Sequence, residues 1–315
     1  MSRAQSVKVR IVTFVFVAML STSSFGQEGP TRTGSDVQQL ARHIMLELEL
    51  LAYEMGQPIR ETELLPVADV SGFEVFFQAQ TLFRKANTLA QEIAGAERLA
   101  PPVLPVDGTT AAYDYSVLQR AMEQIHLVKA ELGIDEVVIE PELEENVGAT
   151  GAFQAIVQAN RQLNVLTRQQ LVPADVFAEV TLAVIYVSGI LELYPGAVTL
   201  PDEPAFENGM RPVDVYNRLI DCLRIIRRIA DEVGGQVLRL DLRRGVEEAT
   251  AADVYDLAKI VVADIGYLAG LLDAPEAFPD LPTPTHIFPS QVYQRVGILR
   301  EQLLTLDELV GESGA

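Results

Sequence analysis

Pro173-Ala174-Asp175-Val176-Phe177 returns as Pro212-Val213-Asp214-Val215-Tyr216, as Ala251-Ala252-Asp253-Val254-Tyr255 and as Pro289-Ser290-Gln291-Val292-Tyr293. The third positions fall at 175, 214, 253 and 291, in steps of 39, 39 and 38. Weaker copies in the first half are anchored at Asp36, Glu74, Asp114 and Ala152, in steps of 38, 40 and 38. Between corresponding anchors of the two halves the offsets are 139, 140, 139 and 139. A fixed period of this kind marks a repeat architecture. It predicts a four-repeat unit of about 139 residues written twice.

Each copy opens a helix. In the sixth, Val215, Leu219, Leu223, Ile226, Ile229 and Val233 recur at three- and four-residue spacing, one apolar stripe on a helix. The fourth is weaker, carried by Phe153, Ile156, Val157, Leu163 and Leu166. The pattern predicts helices near 35–56, 73–95, 113–133, 152–168, 174–194, 212–233, 251–272 and 289–311, and no sheet. Glu136 to Glu140 is the one segment that reads as extended. The expected fold is therefore all-α, eight helices in two duplicated four-helix units, spanning 27–170 and 171–315.

The recurring phrase is itself a helix start. Proline fits the first helical position, where a missing N–H costs nothing. Acids two residues later face unpaired amides and the positive end of the helix dipole. Asp36, Asp175, Asp214 and Asp253 read as such signals, with Thr33 and Thr250 completing capping boxes.

Six of the seven connections are long and rich in breakers, among them Pro101, Pro102, Pro105, Pro195, Pro201, Pro204, Pro275, Pro279, Pro282 and Pro284. A 21-residue helix is about 31 Å long, and 17 extended residues reach about 55 Å. Each loop is thus long enough to return the chain to its starting end, giving parallel helices. Antiparallel packing with ornamented loops satisfies the same lengths. The junction Gln169–Val172 is short and implies that the fourth and fifth helices run antiparallel.

Ahead of the repeats, Arg3, Lys8 and Arg10 precede an uncharged apolar run from Ile11 to Leu20 and the small-residue site Ser24-Phe25-Gly26. This is the three-part pattern of a secretory signal peptide over residues 1–26, cut after Gly26. The expected location is the periplasm or the medium. Cleavage removes three positive charges and no negative one, taking the formal charge from −20 to −23. Such a surface repels phosphate backbones, so nucleic acid is not an expected partner. Val180 to Leu191 is apolar but bracketed by Glu179 and Glu192, too short for a span, so no transmembrane segment is expected after cleavage.

Candidate chemistry is sparse. The residue two after each anchor is aromatic throughout the second half, Phe177, Tyr216, Tyr255 and Tyr293. With parallel helices these rings would stand at one rim, a candidate small-molecule pocket. Arg224, Arg227 and Arg228 form a basic cluster on the sixth helix, either paired with carboxylates such as Asp221, Asp231 and Glu232 or offered to an acidic partner. Glu123 and His126 lie one turn apart, as metal ligands in helical bundles do, with His43 and Glu47 available on the first helix. Cys222, the only cysteine, sits within an apolar stripe and reads as core. No phosphate loop, nucleophile elbow or haem-attachment motif occurs, and no cofactor is implied. Repeated helices without a catalytic constellation point to a non-enzymatic interaction or scaffold protein with a protein partner outside the cytoplasm. The alternatives are a small-molecule binding protein using the aromatic rim and a metalloprotein using Glu123 and His126.

Overall fold

The computed structural model describes residues 32–59, 66–105, 108–167, 172–240, 249–274 and 285–314. The leader, its cleavage site, most of the 169–172 junction, the Pro275–Pro284 stretch, Arg243 and Arg244 lie outside the described residues. Among these residues eight helices follow one another: α1 (Gly34–Glu54), α2 (Gly72–Ala94), α3 (Ala111–Leu132), α4 (Ala149–Leu166), α5 (Pro173–Leu191), α6 (Pro212–Glu232), α7 (Ala251–Leu271) and α8 (Pro289–Gly314). The only ladder among the described residues is a two-residue antiparallel pairing of β1 (Val67–Ala68) with β2 (Arg239–Leu240). Glu136 to Glu140, expected to be extended, lie in a stretch, 134–144, that runs without turn or bend and pairs with no strand among the described residues.

The start signals act as the sequence implies. Asp36 accepts the Thr33 backbone N–H at 2.8 Å, and Asp253 accepts that of Thr250 at 2.8 Å. Glu74 does the same for Ser71, a further capping box. Asp175 and Asp214 take the amides of Val172 and Arg211 at 2.9 and 2.8 Å, and Gln291 takes that of Phe288 at 2.9 Å. The Thr33 hydroxyl, donating at 2.7 Å, is the main reason the Asp36 carboxyl sits below the ordinary carboxylate range. Asp114 breaks the register. Its helix is capped by Thr110, one residue earlier than the repeat implies, so Asp114 turns inward and is buried.

Within each set of four the helices pack in the same ring. α1 packs on α3 and α4, and α2 on α3 and α4; likewise α5 packs on α7 and α8, and α6 on α7 and α8. All four starts of the second set meet at one end, where Pro173, Pro212, Ala251 and Pro289 surround a small apolar funnel floored by Val176, Val215, Val254 and Val292. In the first set, Ser35 Oγ accepts the amide of Val147, just ahead of α4, at 3.0 Å. Gly34 abuts the same segment so closely that a Cβ there would lie 2.5 Å from the Val147 carbonyl oxygen. Lys129 and Glu47 meet near the other ends of α3 and α1. Both sets are therefore parallel bundles, and the long connections carry the chain back along each.

The two bundles run in opposite directions. Phe73, at the start of α2, stacks on Tyr267, near the end of α7, at 5.8 Å, while Lys85, midway along α2, faces Asp256, near the start of α7. Opposed bundles set one group of four aligned dipoles against the other. One apolar core runs through both, from Ile44, Phe76, Phe83 and Phe153 to Ile226, Ile265 and Leu299. The shared contact is lopsided: α2, with α4 beside it, meets α7. Residues 256–265 of α7 are consequently buried all the way round. α5 is long and apolar enough to cross a membrane by length and composition, and half of its most apolar stretch is buried here against its neighbours.

Candidate functional site

The four aromatic positions of the second bundle do not line the funnel. On a helix each residue turns about 100° from the last. With Val176, Val215, Val254 and Val292 on the bundle axis, the following side chains point to the flanks. Tyr293 lies under the Arg218 guanidinium at 3.5 Å, and Phe177 under Arg295 at 4.8 Å. Tyr216 is buried, and burial pushes its hydroxyl above the ordinary range. Tyr255 faces the first bundle, with Lys85 and Lys259 near its ring, and its hydroxyl donates to Glu179 at 3.4 Å.

The basic cluster on α6 already has acidic partners. Arg224 pairs with Asp221 at 2.8 Å and Arg227 with Asp231 at 3.9 Å. Arg228 donates twice to Asp307 of α8, at 3.2 and 2.5 Å. Cys222 is fully buried, and burial pushes its thiol up to about 12, which leaves almost no thiolate at neutral pH.

Glu123 and His126 are both exposed, but the imidazole turns to α1. His126 Nε2 lies 3.6 Å from Glu47 Oε1, and His43 Nε2 lies 3.9 Å from the same oxygen. The other oxygen of Glu47 accepts from Lys129 Nζ at 2.6 Å. Two of the chain's three histidines thus converge on one buried carboxylate. Lys129 already neutralises that carboxylate, and no group of three or more His, Cys, Asp or Glu among the described residues is arranged to hold a metal ion. These side chains open onto a cleft of about 450 Å³ between α1 and α3, walled on its far side by Ile134 to Val138. Lys129 pins that wall by donating to the Glu136 carbonyl at 2.8 Å. Further along, Gln39 donates to the Pro141 carbonyl at 2.9 Å, and Arg42 pairs with Glu144. Between these ties, Val137 and Ile139 are 88% and 86% exposed, the most exposed large apolar side chains described.

A second cluster lies where the bundles meet. Asp256 is buried between Lys85 at 3.8 Å and Arg161 at 3.9 Å, and Lys259 pairs with Glu179 at 3.0 Å. Burial brings the Lys85 ammonium down to about 8 despite the neighbouring Asp256. Asp264 is 1% exposed, and burial, reinforced by adjacent Glu74, holds its carboxyl well above the ordinary range. A protonated Asp264 presents Glu74 with a donor instead of a second negative charge. Glu74 in turn accepts the Leu238 amide at 2.9 Å, tying the α6–α7 connection to the start of α2. The sequence does carry a signal for this cluster: Asp256, Lys259 and Asp264 interrupt an otherwise apolar stretch of α7.

No family model, curated protein or solved structure matches this chain.

Proposed function

We propose that the chain is an exported, non-enzymatic interaction module that works in the periplasm or outside the cell. In this reading residues 1–26 are removed after Gly26, and the mature part arose by tandem duplication of a four-helix unit. The near-constant offset of 139 residues and the shared ring of helix neighbours support the duplication.

One observation carries the interaction reading. Moving His43, Glu47, His126 and Lys129 on by 139 gives Leu182 and Tyr186, which face the first bundle, and Ile265 and Leu268, which are fully buried. The equivalent α1–α3 groove is open, ionisable and bordered by an apolar strip that water should disfavour. Exposed apolar residues rimmed by charge are the usual mark of a contact surface. Asp135, Glu136, Glu140, Glu142, Glu144 and Glu145 provide the rim, which suits a basic partner. The test is a photo-crosslinking residue at position 137 in the native host. A discrete crosslinked protein, lost in Ile139→Asp and not seen from position 224, supports the reading. Absence of any crosslink from 137 in folded, exported protein would sink it. Export is checked separately by an intact mass that begins at Gln27.

A further inference from the structure

The boundary between the bundles encloses a cavity of about 280 Å³ that the interaction reading does not use. Phe76 and Phe77 of α2, Leu182 of α5, Val262 of α7 and Leu104 of the α2–α3 connection form its apolar walls. The connection is held in place as a wall. Gln80 donates to the Pro102 carbonyl at 2.7 Å, and the Tyr113 hydroxyl donates to that of Val103 at 2.6 Å. Two cations, Arg84 and Lys259, line the same cavity. Lys259 is neutralised by Glu179, whereas the Arg84 guanidinium is in no ion pair or hydrogen bond among the described residues.

Charge at this boundary runs against the rest of the molecule. In a chain of formal charge −20, four cations, Arg84, Lys85, Arg161 and Lys259, gather here, with Asp256 between Lys85 and Arg161 and Glu179 on Lys259. Pockets at the meeting of two structural units, apolar in lining with a few fixed polar groups, are typical small-molecule sites. A cation in excess at the mouth of an apolar cavity selects a ligand with an anionic head and an apolar tail. We infer that the inter-bundle cavity binds a small amphipathic carboxylate, its tail between Phe76, Phe77 and Val262 and its head on Arg84. The Arg84 fork matches a carboxylate in a two-pronged arrangement that a neutral head group does not reproduce. Because the walls come from both bundles, the bound ligand also holds them together.

Octanoate is the probe, titrated by calorimetry into the purified full chain, with 1-octanol as the uncharged match of equal tail length. The inference expects saturable one-to-one binding of octanoate, with octanol at least about tenfold weaker, and a rise in Tm with octanoate concentration. Arg84→Ala, at an exposed position, should weaken octanoate at least about tenfold and leave octanol unchanged. Val262→Trp should fill the cavity and abolish binding of both. Should the tryptophan variant fail to fold, the Arg84 variant and the octanol comparison still decide. Equal affinity for octanol, an unaffected Arg84→Ala variant, or no saturable binding to the folded chain each overturns the inference. Ile139→Asp should leave octanoate affinity unaltered, so this site and the proposed partner surface succeed or fail separately.

Discussion

The α1–α3 groove and the α5–α7 groove are built by equivalent helices in the same parallel ring, yet one is charged and open to solvent and the other is mostly apolar and covered by the first bundle. Where α3 and α1 offer His126, Lys129, His43 and Glu47, α7 and α5 offer Ile265, Leu268, Leu182 and Tyr186. The difference follows from how the bundles meet. Each bundle uses a different face, α2 with α4 on one side and α7 on the other, so the contact is not self-complementary. The first bundle's counterpart of the buried groove is left over, and its polar lining is what solvent permits. The comparison teaches that two four-helix rings of the same order yield a structural face and an open face from corresponding positions.

Breaking the contact itself should have the largest effect. Asp256→Ala removes the carboxylate that Lys85 and Arg161 share, and losing one partner of a buried charge cluster costs about 3–5 kcal/mol. Chemical denaturation should show that loss; a variant within about 1 kcal/mol of the parent would mean the charges are solvated in solution.

Next comes the misregistered acid of the first bundle. Burial raises Asp114 from an ordinary 3.8 to about 7, so the folded chain holds this proton more tightly than the unfolded chain. The stability it supports is complete below pH 3.8 and is lost as pH rises through 7. The full change is at most about 4 kcal/mol. Asp114→Asn should therefore be more stable than the parent above pH 7 and show a flatter profile below it. An unchanged pH profile would place that carboxyl in water.

The two grooves can then be made alike. Removing Lys129 alone, as Lys129→Leu, leaves Glu47 buried beside the two imidazoles and should cost about 2–3 kcal/mol. Glu47→Leu combined with Lys129→Leu copies the apolar groove of the second bundle and should fall within about 1 kcal/mol of the parent. If the double variant is as damaged as the single one, the charged cluster is structural and the groove is no free surface. The smallest effect belongs to a cap: Thr33→Ala should cost about 1 kcal/mol, measured by thermal unfolding, because it removes the side-chain half of the α1 capping box.

Much of this architecture was legible in the sequence because it rests on local rules. Helix starts at Pro173, Pro212, Ala251 and Pro289 are dictated by proline and acid placement. The short junction at 169–172 correctly implied that α4 and α5 oppose each other. Long proline-rich connections allowed parallel bundles without requiring them, and the choice fell to tertiary packing. The sites were less legible. Tyr216 and Tyr255 share a repeat position with Phe177 and Tyr293, but periodicity fixes spacing along a helix and not which neighbour each flank meets. Likewise the partner of His126 proved to be Glu47, on another helix, and not Glu123 one turn away. The junction charges of α7 were visible as interruptions of an apolar stripe, yet their partners Lys85 and Arg161 come from helices more than ninety positions earlier.

Among the seven connections, only those joining α2 to α3 and α6 to α7 link helices that pack against each other. A bundle of hairpins can zip from one neighbour to the next, but here most first contacts must close over a whole repeat or more. Folding rates fall as the sequence separation of native contacts grows, so this all-helical chain should fold more slowly than a bundle of simple hairpins of the same size. An emerging chain also lacks a partner for α1 until α3 has appeared, and α3 begins 57 residues after α1 ends (111 − 54), so the apolar stripe of α1 stays uncovered over that stretch of synthesis.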